Sequence, residues 1–198
     1  MSPLLARRGR WLWSAERRPG RLEVDWAAAL EQTLGQGWTL ARSAHGAPEF
    51  RHPLGYWLSR SHAAGIDVLL LSRRGPVGVD VEARCRPLSQ AVLGRLLGPA
   101  ERAWRDPERP ELGVLAWCAK EALTKALGRG IAYGLHRLVL GPPPAARFGL
   151  IRLRLGDADG PAAAWRWRIV AHLGQERVLV AAEGCALEVG RRSPTCPV

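Results

Sequence analysis

The sequence predicts an α+β fold, with strands first, helices in the middle and strands again at the end. Three observations carry that expectation. Residues 56–82 hold three short runs of strand pattern separated by turns, residues 87–127 hold helical patterns, and residues 137–182 return to period-two alternation. The composition is that of a chain with a core: 47% of the 198 residues are hydrophobic and nine are tryptophan.

Taken in order, residues 1–20 carry arginine and tryptophan with little regular pattern. Val24 to Leu34 reads as a short helix stopped by Gly35, and Trp38 to Leu54 as short extended pieces broken by Gly and Pro. Tyr56–Ser59 and Ile66–Leu71 read as strands joined by a turn through Ser61 and His62. A second turn at Arg73-Arg74-Gly75 leads into Val77–Glu82, so the three strands predict an antiparallel meander. Pro87 to Leu97 is amphipathic and Pro99 to Trp104 adds a helical turn. Beyond the prolines at 107 and 110, a long helix runs from Glu111 to Leu127, with Gly128 as its stop. Arg137–Leu140, Gly149–Leu155, Ala164–Leu173 and Arg177–Ala182 read as strands. In the third of these, Trp165, Trp167 and Ile169 alternate with Arg166, Arg168 and Val170, so a buried Trp face with a solvated Arg face is expected. The tail from Gly190 is expected to fray.

A formal charge of +11 calls for an acidic partner or ligand without choosing among nucleic acid, anionic lipid, nucleotide and acidic protein. Clusters such as Arg7-Arg8 and Arg17-Arg18 look like solvated surface. Cys85, Cys118, Cys185 and Cys196 are far apart with no C-x-x-C pair, which argues against zinc and against a disulfide framework and for a reducing, cytoplasmic setting. No apolar run of signal-peptide length follows the N-terminal arginines, and the longest apolar stretch, Val68–Leu71, is far too short to span a bilayer.

Two places carry chemistry. Of the 29 basic residues only Lys120 and Lys125 are lysine, five apart in the long helix, which suggests a need for a compact ammonium that a guanidinium does not meet. Glu121 and Lys125 are four apart and so neighbours on one helix face, the pattern of an ordinary surface salt bridge as well as of a site. Upstream, valines at 77, 79 and 81 alternate with Gly78, Asp80 and Glu82, so the two acids point the same way from one strand. On an exposed edge they are solvated charges. On a central strand they demand a cation. With Glu121 they would supply three hard oxygen ligands, a donor set suited to Mg²⁺ that leaves room for water and substrate phosphates, with the lysines neutralising those phosphates. Ser61 and His62, on their turn, are a plausible phosphate cradle; His45, His52, His136 and His172 have no such setting.

The order Ser61-His62, then Gly78-Val79-Asp80-Val81-Glu82, then Trp117 followed by Lys120-Glu121-Ala122, Lys125 and Gly128 resembles the 4′-phosphopantetheinyl transferases. It is most similar to the two-halved type that serves peptide, polyketide and fatty-acid carrier proteins. The resemblance covers residues 46–140 well and the last strands loosely. It implies a pseudo-twofold pair of similar α+β halves, about 1–76 and 77–198, with coenzyme A in the cleft between them. It implies Mg²⁺-dependent transfer of the phosphopantetheine arm from coenzyme A to a serine of an acyl or peptidyl carrier protein. By the same resemblance Asp80, Glu82 and Glu121 hold Mg²⁺, with Glu82 direct or through water, and Glu121 also takes the serine's proton. Lys125 neutralises the transferring phosphoryl group, with Lys120 a further phosphate contact, and Ser61 and His62 grip the 3′-phosphate. The family's Gly-Lys-Pro has its counterpart in Gly46-Ala47-Pro48, so Pro48 is retained on the nucleotide side but the lysine is missing, with Arg42 or Arg51 as possible substitutes. The first half is also short. An acidic coenzyme and an acidic carrier protein suit the positive charge, a monomer is expected because one chain supplies both halves, and no membrane or nucleic-acid partner is implied. Two rivals have specific support. A Mg²⁺-dependent nuclease would use the same acids, but such sites place Glu and Lys two apart on a strand. A nucleic-acid-binding module would rely on Trp165-Arg166-Trp167-Arg168.

Overall fold

The computed structural model describes residues 5–7, 10–16, 26–42, 48–51, 55–63, 65–129, 134–143, 148–151, 153–155 and 165–186. The expectations for Arg17-Arg18, Gly46-Ala47, His45, His52, Cys196 and the tail from Gly190 lie outside them. So do those for the side chains of Arg42, Arg51, Trp165–Arg168 and Cys185.

Twelve strands and three helices are described, and the class is α+β. The strands are β1 (Leu5–Arg7), β2 (Arg10–Glu16), β3 (Thr39–Arg42), β4 (Pro48–Arg51), β5 (Trp57–Ala63), β6 (Ile66–Ser72), β7 (Val77–Ala83), β8 (Leu138–Leu140), β9 (Phe148–Ile151), β10 (Leu153–Leu155), β11 (Trp165–Leu173) and β12 (Arg177–Ala186). The helices are α1 (Ala27–Leu34), α2 (Gln90–Leu96) and α3 (Glu111–Ala126), with a 3₁₀ segment at Pro99–Trp104. One sheet has the order β1-β2-β6-β5 and another β7-β12-β11-β9, all antiparallel; β3-β4 and β8-β10 form two small ribbons.

The two large sheets lie face to face. Val68 and Leu70 of β6 pack against Val77, Val79 and Val81 of β7, with Leu12, Leu179 and Ala181 at the margin. Each outer face carries a helix. Trp13, Leu69 and Leu71 meet Trp26, Leu30 and Leu34 of the α1 region; Ile169, Ala171, Val178 and Val180 meet Leu115, Ala119, Ala122 and Leu123 of α3. The plan repeats: a strand (β2 or β7), a helix (α1 or α3), a ribbon, then a hairpin (β5-β6 or β11-β12) whose second strand returns to pair with the first.

Four sequence expectations change. The patternless N-terminus contains β2, which lies inside its sheet; with Leu12 facing the other sheet and Trp13 facing α1, both faces are apolar and no alternation shows. Gly149–Leu155 divides into β9 and β10, which join different sheets. Ser61 and His62 sit within β5, which runs on to Ala63. The meander also stops after two strands. β5 pairs with β6, but β7 crosses to the other sheet, because its valines are satisfied by packing on β6 face to face and not by pairing edge to edge. β7 is thus an edge strand, laid alongside β5 and stitched to it by hydroxyls: Val79 N donates to Ser59 Oγ at 3.0 Å and Val81 N to Ser61 Oγ at 3.4 Å. Among the described residues no helix is long and apolar enough to cross a membrane.

Candidate active site

The site begins with a missing side chain. A Cβ placed on Gly78 would stand 1.7 Å from the Ala122 carbonyl oxygen and 2.7 Å from the Ala126 amide. Only glycine therefore lets α3 lie directly on β7. The close approach sets Glu121 and Lys125, on the face of α3 toward β7, beside Asp80, which follows Gly78 at the next same-face position.

Asp80 is 3% exposed, although its strand is a sheet edge, because β5 and α3 close over it. Its Oδ1 accepts from Ser61 Oγ at 2.7 Å and from Lys125 Nζ at 2.7 Å. The same ammonium donates to Ser61 Oγ at 3.1 Å and Val79 O at 3.2 Å, and stands 3.8 Å from Glu121 Oε2. Asp80 and Glu121 therefore share one cation, while Glu82 is paired with Arg86. Burial, then the neighbouring Asp80, pushes Glu121 from 4.5 up to about 7, against the pull of Lys125. Burial also raises Glu82, with Arg86 opposing it. The Cys118 thiol is held well above its ordinary range by burial and by Asp80 beside it, so it stays neutral.

These carboxylates do not ligate one point as they stand: among the described residues no three acidic, His or Cys groups are arranged to hold a metal ion. Carboxylates this close recruit nearby cations, and Lys125 and Arg86 supply them. The donor set nevertheless fits a hard divalent ion. Asp80 Oδ2 is buried with no hydrogen-bond partner, and Glu121 is driven toward its neutral form by burial and Asp80.

Other expected site residues fall elsewhere. Lys120 does not join Asp80, Glu121 and Lys125. It is fully buried, donating from Nζ to Glu101 Oε2 at 2.9 Å and to Leu96 O at 2.5 Å. Glu101 also accepts from Gly98 N at 2.9 Å and Leu140 N at 2.8 Å, so the pair ties α3 to the end of α2, the 3₁₀ segment and β8. Burial lowers the Lys120 pKa and Glu101 opposes the shift. Ser61 and His62 do not form a joint cradle, since neighbours on a strand point to opposite faces: Ser61 is buried against Asp80 and Lys125, and His62 is exposed. Pro48 opens β4, opposite Arg42 in register. A cavity of about 420 Å³ between the sheets, lined by Leu12, Val68, Val81, His172, Arg177 and Leu179 among others, is not lined by Asp80, Glu82, Glu121 or Lys125.

Three contributors were not singled out from sequence. Ser59 is a second stitch two residues before Ser61, a spacing that could have suggested one. Arg86 and Glu101 gave no local signal, but Lys120 did: it falls on the stripe Leu112, Ala116, Ala119 and Leu123, and a charge there implies a buried partner.

The model of the 4′-phosphopantetheinyl transferase superfamily matches residues 76–182, which include Gly78, Asp80, Glu82, Glu121 and Lys125. The chain belongs to that superfamily. Similar to it are the 4′-phosphopantetheinyl transferases AcpT of Salmonella typhi and Salmonella typhimurium. Each is 30% identical over 122 residues, covering 58% of this chain and 64% of the relative. A Synechocystis protein named as a 4′-phosphopantetheinyl transferase is 30% identical over 88 residues, 42% of this chain and 36% of the relative. The matches thus span less than two thirds of the length of these superfamily relatives.

Proposed function

We propose that the protein transfers the 4′-phosphopantetheine arm of coenzyme A to a serine hydroxyl of an acyl or peptidyl carrier protein, with Mg²⁺ as cofactor. One observation carries this beyond family membership: Asp80 and Glu121, from a strand and a helix far apart in sequence, meet at the Lys125 ammonium, 2.7 and 3.8 Å away. Asp80 and Glu121 would hold the metal, with Glu82 joining on release from Arg86. When bound, Mg²⁺ supplies charge neutralisation for the diphosphate.

Glu121 takes the serine proton, directly or through water. The serine oxygen forms the new P–O bond as the bond to the bridging oxygen breaks, and adenosine 3′,5′-bisphosphate leaves with that electron pair. Lys125 moves from Asp80 to the phosphoryl oxygens as their charge grows, the kind of stabilisation that usually dominates such reactions. The exposed His62 remains available for the 3′-phosphate. We further propose that the two halves, about 1–76 and 77–198, receive coenzyme A at the junction where β5 meets β7, and that the enzyme acts as a cytoplasmic monomer. The test incubates the protein with an apo carrier protein, coenzyme A and Mg²⁺ and weighs the carrier by mass spectrometry. The arm should appear, vanish with chelator, and be nearly lost with Asp80→Ala or Glu121→Gln. Full modification by those variants refutes the assigned roles, and no modification of any carrier refutes the function.

A further inference from the structure

We propose that Arg86 is a second diphosphate-binding residue of this site, gripping the phosphate that Lys125 does not reach; this rests on the transferase reading above. The need for one follows from the burial of Lys120. With that lysine committed to Glu101 and Leu96, Lys125 is the one lysine left at the site, and its ammonium already holds Asp80. A diphosphate brings further negative charge to a place that holds Asp80, Glu82 and Glu121.

Arg86 is built for the task. Its guanidinium lies over the Trp117 ring, 4.7 Å from the centroid, while its Nη1 donates to Glu82. Trp117, Glu121 and Lys125 are successive four-residue steps along α3, so Arg86 and Lys125 stand at the two ends of one row with the carboxylates between them. Stacking fixes the plane of the fork before any ligand arrives, which reduces the ordering cost of binding. Of its five N–H groups, Glu82 is the side-chain acceptor among the described residues, and the side chain is 35% exposed. The remaining donors are open to a planar, bidentate contact with phosphate. Glu82 is then a placeholder that keeps the fork aimed until phosphate replaces it.

Calorimetric titration in Mg²⁺ tests this with two ligands: coenzyme A, which carries the diphosphate, and adenosine 3′-monophosphate, which has the 3′-phosphate but neither phosphate of the diphosphate. Arg86→Ala should weaken coenzyme A binding about tenfold to a hundredfold, as expected for losing a charge-assisted phosphate contact. Binding of the 3′-monophosphate should change less than about threefold, the scatter of effects at groups making no contact. Arg86→Lys should recover only part of the loss, and Arg86→Gln, which keeps part of the aliphatic stem without the charge, serves if the alanine variant does not fold. Equal weakening of both ligands, or none, overturns the inference. Failure of the unaltered protein to bind coenzyme A overturns the transferase reading and this inference with it.

Discussion

Gly78→Ala should damage both fold and activity, and the size of each effect follows from the β7–α3 contact. The new methyl would meet the Ala122 carbonyl at 1.7 Å and the Ala126 amide at 2.7 Å, both backbone, so no rotamer change relieves the clash. Contacts under 3.0 Å are essentially never seen for real Cβ atoms, so α3 must retreat by at least about 1.3 Å. Lys125 and Asp80, now 2.7 Å apart, would separate to about 4 Å, beyond hydrogen-bond reach. Overpacking of this kind costs about 3 kcal/mol, or roughly 6–12 °C in Tm for a chain of this size. A shift of ~1 Å at a reacting centre costs about a hundredfold in rate. Thermal unfolding and carrier modification followed by mass spectrometry read the two effects. Gly94→Ala in α2 is the control: nothing lies within 4 Å of its added methyl, so it should stabilise by about 0.5–1 kcal/mol and leave the rate unchanged. A Gly78→Ala variant with unaltered Tm and rate would refute the idea that this glycine sets the helix height.

Other changes separate the roles of the remaining groups. Glu121 has a folded pKa of about 7 against 4.5, so the metal-free fold binds the extra proton and loses stability as pH rises through that window; Glu121→Gln should recover about 3 kcal/mol at pH 8 in urea unfolding while abolishing transfer. Lys120→Met leaves the buried Glu101 without its counterion and should cost about 3–5 kcal/mol, whereas Glu101→Gln with Lys120→Met, which removes the charge and keeps an acceptor for Leu140 N, should recover part of it, as urea melts will show. Lys125→Arg keeps the charge but must fit a planar fork among Asp80, Ser61 and Val79; a rate about a hundredfold lower is expected, and full activity in the carrier assay would defeat the argument from lysine scarcity. Ser61→Ala removes the bonds to Asp80 and Val81 N and should lower stability by about 1–3 kcal/mol. His62→Ala should leave the melt unchanged and weaken coenzyme A binding alone.

What the sequence made legible was local. The Val-Gly-Val-Asp-Val alternation and the 111–127 helix stand as read, to within a residue or two. Their meeting was not legible, because it depends on a clearance at Gly78 that no periodicity reports. Lys120 was misplaced for a related reason. A lysine beside a glutamate suggests surface chemistry, whereas the apolar stripe around it is the stronger signal and its partner lies 19 residues away in a 3₁₀ segment. Ser61 was misplaced because its turn proved to be strand, which sends it and His62 to opposite faces.

The repeated plan puts different side chains at the strand–helix contact of its two units. In the first unit the strand presents Trp13 to its helix, and the ring packs with Trp26 and Leu30 as core. In the second the strand offers Gly78, Asp80 and Glu82 to its helix instead. The glycine removes the spacer that an aromatic would impose, and α3 drops onto the strand. Two carboxylates then lie under a helix that must answer them with cations. Their burial would destabilise an ordinary core, and under the proposed function it would become affinity for a divalent ion and a phosphate; β5 of the first unit adds Ser59 and Ser61 beside them. On this view the first unit acts on the reaction mainly through those two hydroxyls and His62.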